Sequence, residues 1–97
     1  MLLELKLKPW ECTLQRRRDV KVLDSMDING WHIELYEKDS EKGILIGNTK
    51  KGVCLLIPPE MPEQWKKENL YNNENLPKYL KKKLSRVPWI VEVVGAP

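Results

Sequence analysis

His32 is the single imidazole of a 97-residue chain that also carries two cysteines, Cys12 and Cys54. Nucleophilic catalysis of the Ser-His or Cys-His kind needs an imidazole beside the nucleophile, so any such arrangement here must be built on His32. The nearest charged companion is Asp27, which an antiparallel hairpin turning at Asn29-Gly30 places directly across from it. A carboxylate in that position favours the imidazolium form, and the pair reads as a half-exposed cross-strand contact. Asp24, Asp27, Glu34, Glu37, Asp39 and Glu41 form the richest carboxylate region, with Lys38 beside it. Acids and a lysine on neighbouring strands are also what a metal-dependent hydrolase or nuclease uses. Glu34 and Glu37, three apart on a strand, point to opposite faces, so the acids do not converge. Cys12 and Cys54 are distant in sequence and have no C-x-x-C neighbours, which argues against a zinc or dithiol motif. The expectation is two reduced thiols in a cytoplasmic protein. Gly47-Asn48-Thr49-Lys50-Lys51-Gly52 opens with the spacing of a phosphate-binding loop, but Val53 and Cys54 stand where Lys and Ser or Thr are required.

Charge offers a different chemistry. Seventeen Lys and Arg against fourteen Asp and Glu leave a mild formal charge of +3, too small to make the whole chain a polyanion binder. The cations are nevertheless bunched, in Arg16, Arg17 and Arg18, and again in Lys78, Lys81, Lys82, Lys83 and Arg86. Leu76, Leu80, Leu84 and Val87 follow a helical period, which turns Lys78, Lys81, Lys82 and Ser85 outward as a ridge near Tyr79 and Arg86. Such a ridge could hold phosphates through counterion release, and it could equally be a solvated face.

The aromatic residues are four Trp and three Tyr without one Phe. Trp and Tyr suit positions where one edge is buried and the other meets a partner. Trp10, Trp65 and Tyr71 are the candidates for a protein interface, while Trp31 and Trp89 read as core.

These residues need a frame to hold them. Leu3, Leu5 and Leu7 alternate with charged residues, the pattern of a strand over 2–8. Residues 10–18 are open between an edge strand and an ordered loop. Asn29-Gly30 sets a type I′ hairpin pairing 20–28 with 31–37, in which Ile28 faces Trp31, Met26 faces Ile33, Asp24 faces Leu35, Ser25 faces Glu34 and Leu23 faces Tyr36. A charged turn over 39–43 leads to apolar runs at 44–46 and 53–57, read as a second hairpin covered on both faces or central in its sheet. Pro62 opens a short helix through about residue 70. A second helix over 76–86 is expected to be capped by Asn75 and to lie across the sheet. After Pro88, the β-branched run 89–94 reads as a closing strand.

Strands followed by helices specify an α+β fold. The expectation is one domain over 1–97, with a mainly antiparallel sheet or partly open barrel of about five to six strands and two helices between the last two. No apolar run approaches the roughly 20 residues that span a bilayer. With no cofactor motif and no convergent catalytic set, the reading is a non-enzymatic accessory protein that binds another protein through Trp10, Trp65 and Tyr71. The runner-up is an RNA- or DNA-binding module using Arg16, Arg17, Arg18, Lys78, Lys81, Lys82 and Arg86, and a metal-dependent hydrolase stands third.

Overall fold

The computed structural model describes residues 12–97, so the strand expected over 2–8 and the interface candidate Trp10 lie outside the described residues. Four strands form an antiparallel meander in chain order: β1 (Lys21–Ile28), β2 (Trp31–Lys38), β3 (Glu41–Asn48) and β4 (Val53–Ile57). Helices α1 (Glu63–Tyr71), α2 (Lys78–Leu84) and α3 (Pro88–Val94) follow. The α+β class and the antiparallel sheet agree with expectation. The strand count does not, since four strands occur among the described residues.

The β1–β2 turn is Asn29-Gly30, both at positive φ, as a type I′ hairpin requires. Its register matches the expected pairs from Ile28↔Trp31 through Asp24↔Leu35. Beyond Asp24 a bulge intervenes, so that Val22 rather than Leu23 opposes Tyr36. The extra residue restores Val22 to the covered face and leaves Leu23 exposed. The next turn is tighter than the expected 39–43. Asp39 and Ser40 alone occupy it, both at positive φ, and Lys38 already pairs with Glu41. Gly43 is therefore a strand residue, and it stands opposite Tyr36. A methyl group there would overlap the Tyr36 phenol, so the glycine makes room for the ring to lie across β3. A 3-10 turn (Thr49–Lys51) joins β3 to β4, with Asn48 accepting from the Lys51 N–H and Gly52 in the left-handed region.

Both faces of the sheet are covered. One carries Trp31, Ile33, Leu35, Ile44, Ile46 and Ile57, packed against Leu70, Leu76, Leu80, Leu84, Ile90 and Val94 of the helical layer. The opposite face carries Tyr36 and Leu45, packed against Cys12, Leu14 and Val20 of the segment that precedes β1. Leu45 lies between Ile44 and Ile46 on a central strand, which is why the apolar run there does not alternate. That preceding segment contains turns and no strand from Cys12 onward, so of the two readings for 10–18 the ordered loop is correct over the described residues.

Two helical expectations require correction. The second helix begins at Lys78, not at 76, and Pro77 rather than Asn75 occupies its N-cap position. Proline disfavours helical backbone in the residue before it, which holds Leu76 outside the helix although its side chain is buried. The run after Pro88 is helix α3, not a strand. Pro88 is its first residue, where a missing N–H costs nothing. Ile90 and Val94, one turn apart, are fully buried, and the helix packs on α1 and β3. Burial of that stripe overrides the strand propensity of Ile and Val. Tyr71 Oη donates to the Gly95 carbonyl at 2.6 Å, which fastens the chain just past α3.

The two cysteines are also not separate thiols. Cys12 and Cys54 are joined as a disulfide, with Cα atoms 5.7 Å apart. Cys54 opposes Gly47 across β3 and β4, and a side chain at Gly47 would overlap Cys12 Sγ and Cβ. The glycine is thus the seat on which the crosslink rests. The expectation of a reducing compartment rested on unpaired thiols and loses that support. The crosslink closes a sequence separation of 42 residues, which in the chain-entropy picture corresponds to at most about 4 kcal/mol of stability. Reduction, or Cys54→Ser, is expected to lower the urea midpoint accordingly, and reductant should have no further effect on the Cys54→Ser chain. An unchanged midpoint on reduction would refute this assignment.

Candidate functional site

Two places on the molecule gather side chains able to do chemistry. The first is on the sheet face opposite the helices. Strand alternation points His32, Glu34 and Tyr36 the same way, and the β1–β2 register sets Asp27 beside His32. His32 Nδ1 lies 2.7 Å from Asp27 Oδ1, and Nε2 lies 2.6 Å from Glu34 Oε2. Glu34 is completely buried. Its carboxylate also accepts from the Leu14 N–H at 2.7 Å and from the Thr13 hydroxyl at 2.5 Å. A buried carboxylate is tolerated only when its desolvation is compensated by charge and hydrogen bonds. Here the donors are one imidazole, one hydroxyl and one backbone amide.

Burial works to lower the His32 pKa, but the ring's hydrogen bonds to Glu34 and Asp27, with the negative charge of those carboxylates, outweigh it and leave the pKa above its ordinary value. With both ring nitrogens held by carboxylates, the imidazolium donates to each. The sequence places Asp27 beside His32, and the structure does so as well. What sequence reasoning missed is Glu34 on the other nitrogen. The signal was present, since His32 and Glu34 are two apart on one strand and share a face. Its burial was not legible, because it depends on the Thr13 and Leu14 segment about twenty residues away. Thr13, Glu34, His32 and Asp27 form a chain from the interior to the surface that fastens the segment before β1 to the sheet. Among the described residues no group of three or more His, Cys, Asp or Glu is arranged to hold a metal ion.

Arg16, Arg17 and Arg18 lie just beyond this clamp. Arg17 makes a two-pronged contact with Asp19, at 3.0 Å and 2.9 Å, and that guanidinium holds the Asp19 carboxyl below its usual range. Arg16 and Arg18 are exposed. The segment that carries them covers the face opposite the helices, so the triplet and the α2 cations do not form one continuous patch.

The second place is the outer face of α2. Leu80 and Leu84 are buried in the core, which turns Tyr79, Lys82 and Lys83 outward at spacings of three and four residues, the period of one helical face, and Arg86 follows just past the C-cap Ser85. With Val87 they line a hollow of about 370 Å³. Lys78, Lys82, Lys83 and Arg86 are all exposed, and α2 contains no acidic residue. Lys81 is different. It is half-buried and its ammonium donates to the Asn73 carbonyl at 3.2 Å, so it ties down the loop before α2 instead of joining the ridge. Sequence reasoning named Lys78, Lys81, Lys82 and Arg86 for this surface and put the ridge near Tyr79; it left out Lys83, which lines the hollow with Tyr79.

The remaining candidates are on α1. Trp65 is 61% exposed, the most exposed large apolar side chain among the described residues. Tyr71 is half-buried and its hydroxyl is engaged with Gly95, a bond that serves the packing of the chain end.

Because folding raises the His32 pKa, the native state binds the proton more tightly than the unfolded chain does. The stabilisation is therefore complete below the unfolded value of about 6.5 and is lost as pH rises through the folded value. Urea unfolding between about pH 5.5 and 8.5 should show stability falling with pH, and His32→Gln should flatten the dependence. Glu34→Gln places amide hydrogens against donors and is expected to cost about 2–4 kcal/mol. A pH-independent midpoint in the unsubstituted chain would contradict the imidazolium assignment. Compared with known protein families, with curated proteins and with solved structures, the chain matches none.

Proposed function

We propose that this chain is a non-enzymatic binding protein whose partner is a nucleic acid, held on the outer face of α2. The observation that supports this reading is the set of exposed cations Lys82, Lys83 and Arg86 around one hollow, with Lys78 one turn earlier on the same helix. Mixed-sign surface helices alternate their charges and pair them at i,i+4 spacing. α2 does not, for it carries four lysines and no acid, leaving a local positive field for an anionic partner. The buried side of the helix is fully used by Leu80 and Leu84, so these cations are free of any packing duty. Phosphates gain from such a face by releasing condensed counterions, which makes binding strongly dependent on salt.

A second reading is favoured by a different observation. Trp65 projects from α1 with most of its surface in solvent, and exposed Trp is the residue type most enriched at the centres of protein interfaces. Under that reading the chain is an accessory protein that docks another protein on α1.

The two readings make separate predictions. Replacing Lys82, Lys83 and Arg86 together by Gln should weaken binding of a fluorescein-labelled oligonucleotide. It should also reduce the slope of log affinity against log salt by about two, since each single-strand phosphate left without its cation removes roughly 0.7 from the slope. Trp65→Ala should leave that binding unchanged. If the triple substitution alters neither affinity nor slope, the nucleic-acid reading fails. If Trp65→Ala abolishes oligonucleotide binding, the assignment of the surface to α2 fails.

A further inference from the structure

Charge accounts for the lysines of α2 but not for Tyr79. The residue is 47% exposed and lines the hollow with Lys82, Lys83, Arg86 and Val87. A helix whose outer face served only solubility would gain nothing from an apolar ring there, because exposing it forgoes the burial that stabilises an aromatic side chain. The phenol is not recruited to the core, to which the neighbouring residues Leu76, Leu80 and Leu84 contribute. Among the described residues no hydrogen bond or ion pair is seen at the side chains of Tyr79, Lys82, Lys83 or Arg86, although the backbone carbonyls of Lys82 and Lys83 accept from the Ser85 hydroxyl and the Arg86 N–H.

A flat ring flanked by cations matches a ligand that offers a flat ring flanked by anions. Bases in a duplex are stacked on one another, and their faces are closed to a side chain approaching from outside. In a single strand each base has a free face, and stacking on an aromatic residue is largely indifferent to which base it is. The cations at three and four residues beyond Tyr79 stand about 4.5 and 6 Å along the helix axis from it, and so flank the ring closely.

We infer that the α2 face selects single-stranded over double-stranded nucleic acid, with Tyr79 stacking one unpaired base while Lys82, Lys83 and Arg86 hold the adjoining phosphates. This rests on the reading of α2 as a nucleic-acid surface and adds the class of nucleic acid and the residue that determines it. DNA and RNA share the base and the phosphate, so both strands belong to the test.

The full chain is titrated at low salt, by fluorescence anisotropy, into a short oligothymidylate, an oligouridylate of equal length, an abasic strand of equal length and a duplex. Polyglutamate serves as a competitor. One or both of the base-bearing strands should bind about 5- to 150-fold more tightly than the abasic strand, the range that stacking of one base supplies, and more tightly than the duplex. The tighter of the two identifies the sugar. Tyr79→Ala should bring their affinity down to that of the abasic strand while leaving abasic binding and its salt slope unchanged, and Tyr79→Phe should retain the preference. Because Tyr79 is exposed, far-ultraviolet circular dichroism of Tyr79→Ala should match the parent.

Equal affinity for base-bearing and abasic strands, or a preference that survives Tyr79→Ala, overturns the inference while leaving α2 as a phosphate-binding surface. Displacement of the oligonucleotide by polyglutamate at equal charge concentration also overturns it, and points to an acidic protein. Absence of binding to every strand overturns the nucleic-acid reading itself.

Discussion

The carboxylate of Glu34 is the interaction around which one side of this protein is organised. A fully buried acid on a central strand is costly unless donors converge on it, and three of them do. The backbone amide of Leu14 and the hydroxyl of Thr13 come from the segment before β1, and the imidazole of His32 comes from the same strand. Satisfying Glu34 therefore requires the segment to lie against the sheet. Once it does, Leu14 and Val20 cover Tyr36 and Leu45. The polar contact selects the position, and the apolar burial that accompanies it supplies further stabilisation.

The disulfide acts on the same segment from the neighbouring residue. Cys12 precedes Thr13 directly, and its partner Cys54 lies on β4, at the other edge of the sheet from β1. The segment is thus fastened through β2 by hydrogen bonds and through β4 by a covalent bond. Glycine makes both placements possible on β3. Gly47 leaves space for the crosslink and Gly43 leaves space for Tyr36. The Tyr36 hydroxyl, buried and without a hydrogen-bond partner among the described residues, is held in its neutral form, first by burial and then by the negative charge of Glu60.

The helical layer answers to a different rule. Its three short helices deliver one or two aliphatic side chains each to the core, and this sets which of their residues face water. On α2 the result is a basic surface that carries Tyr79 and has no ion pair among the described residues. On α1 the result is an exposed tryptophan. The clamp around Glu34 stabilises the sheet from behind and contributes no group to either surface. The cluster of Glu34, His32 and Asp27, buried only at its Glu34 end, therefore lies on the side of the sheet opposite the helical layer, where it fastens the segment before β1.

Local chemistry in the chain determined much of this by itself. Asn29-Gly30 set a hairpin register that holds from Ile28 to Asp24, because few residue pairs accept two positive φ angles in succession. The period of Leu80 and Leu84 set which face of α2 is buried, and hence that Lys78, Lys82 and Lys83 are exposed. Tertiary structure decided the rest. Ile90 and Val94 are helical because α1 and β3 offer a surface for a helical stripe, although their own preference is for strand. Cys12 meets Cys54, and Thr13 and Leu14 meet Glu34, across separations that no local pattern encodes. A buried charge and a crosslink are contacts between distant parts of the chain: the first gains its strength only where folding has excluded water, and the second forms only where the fold sets the two sulfurs side by side.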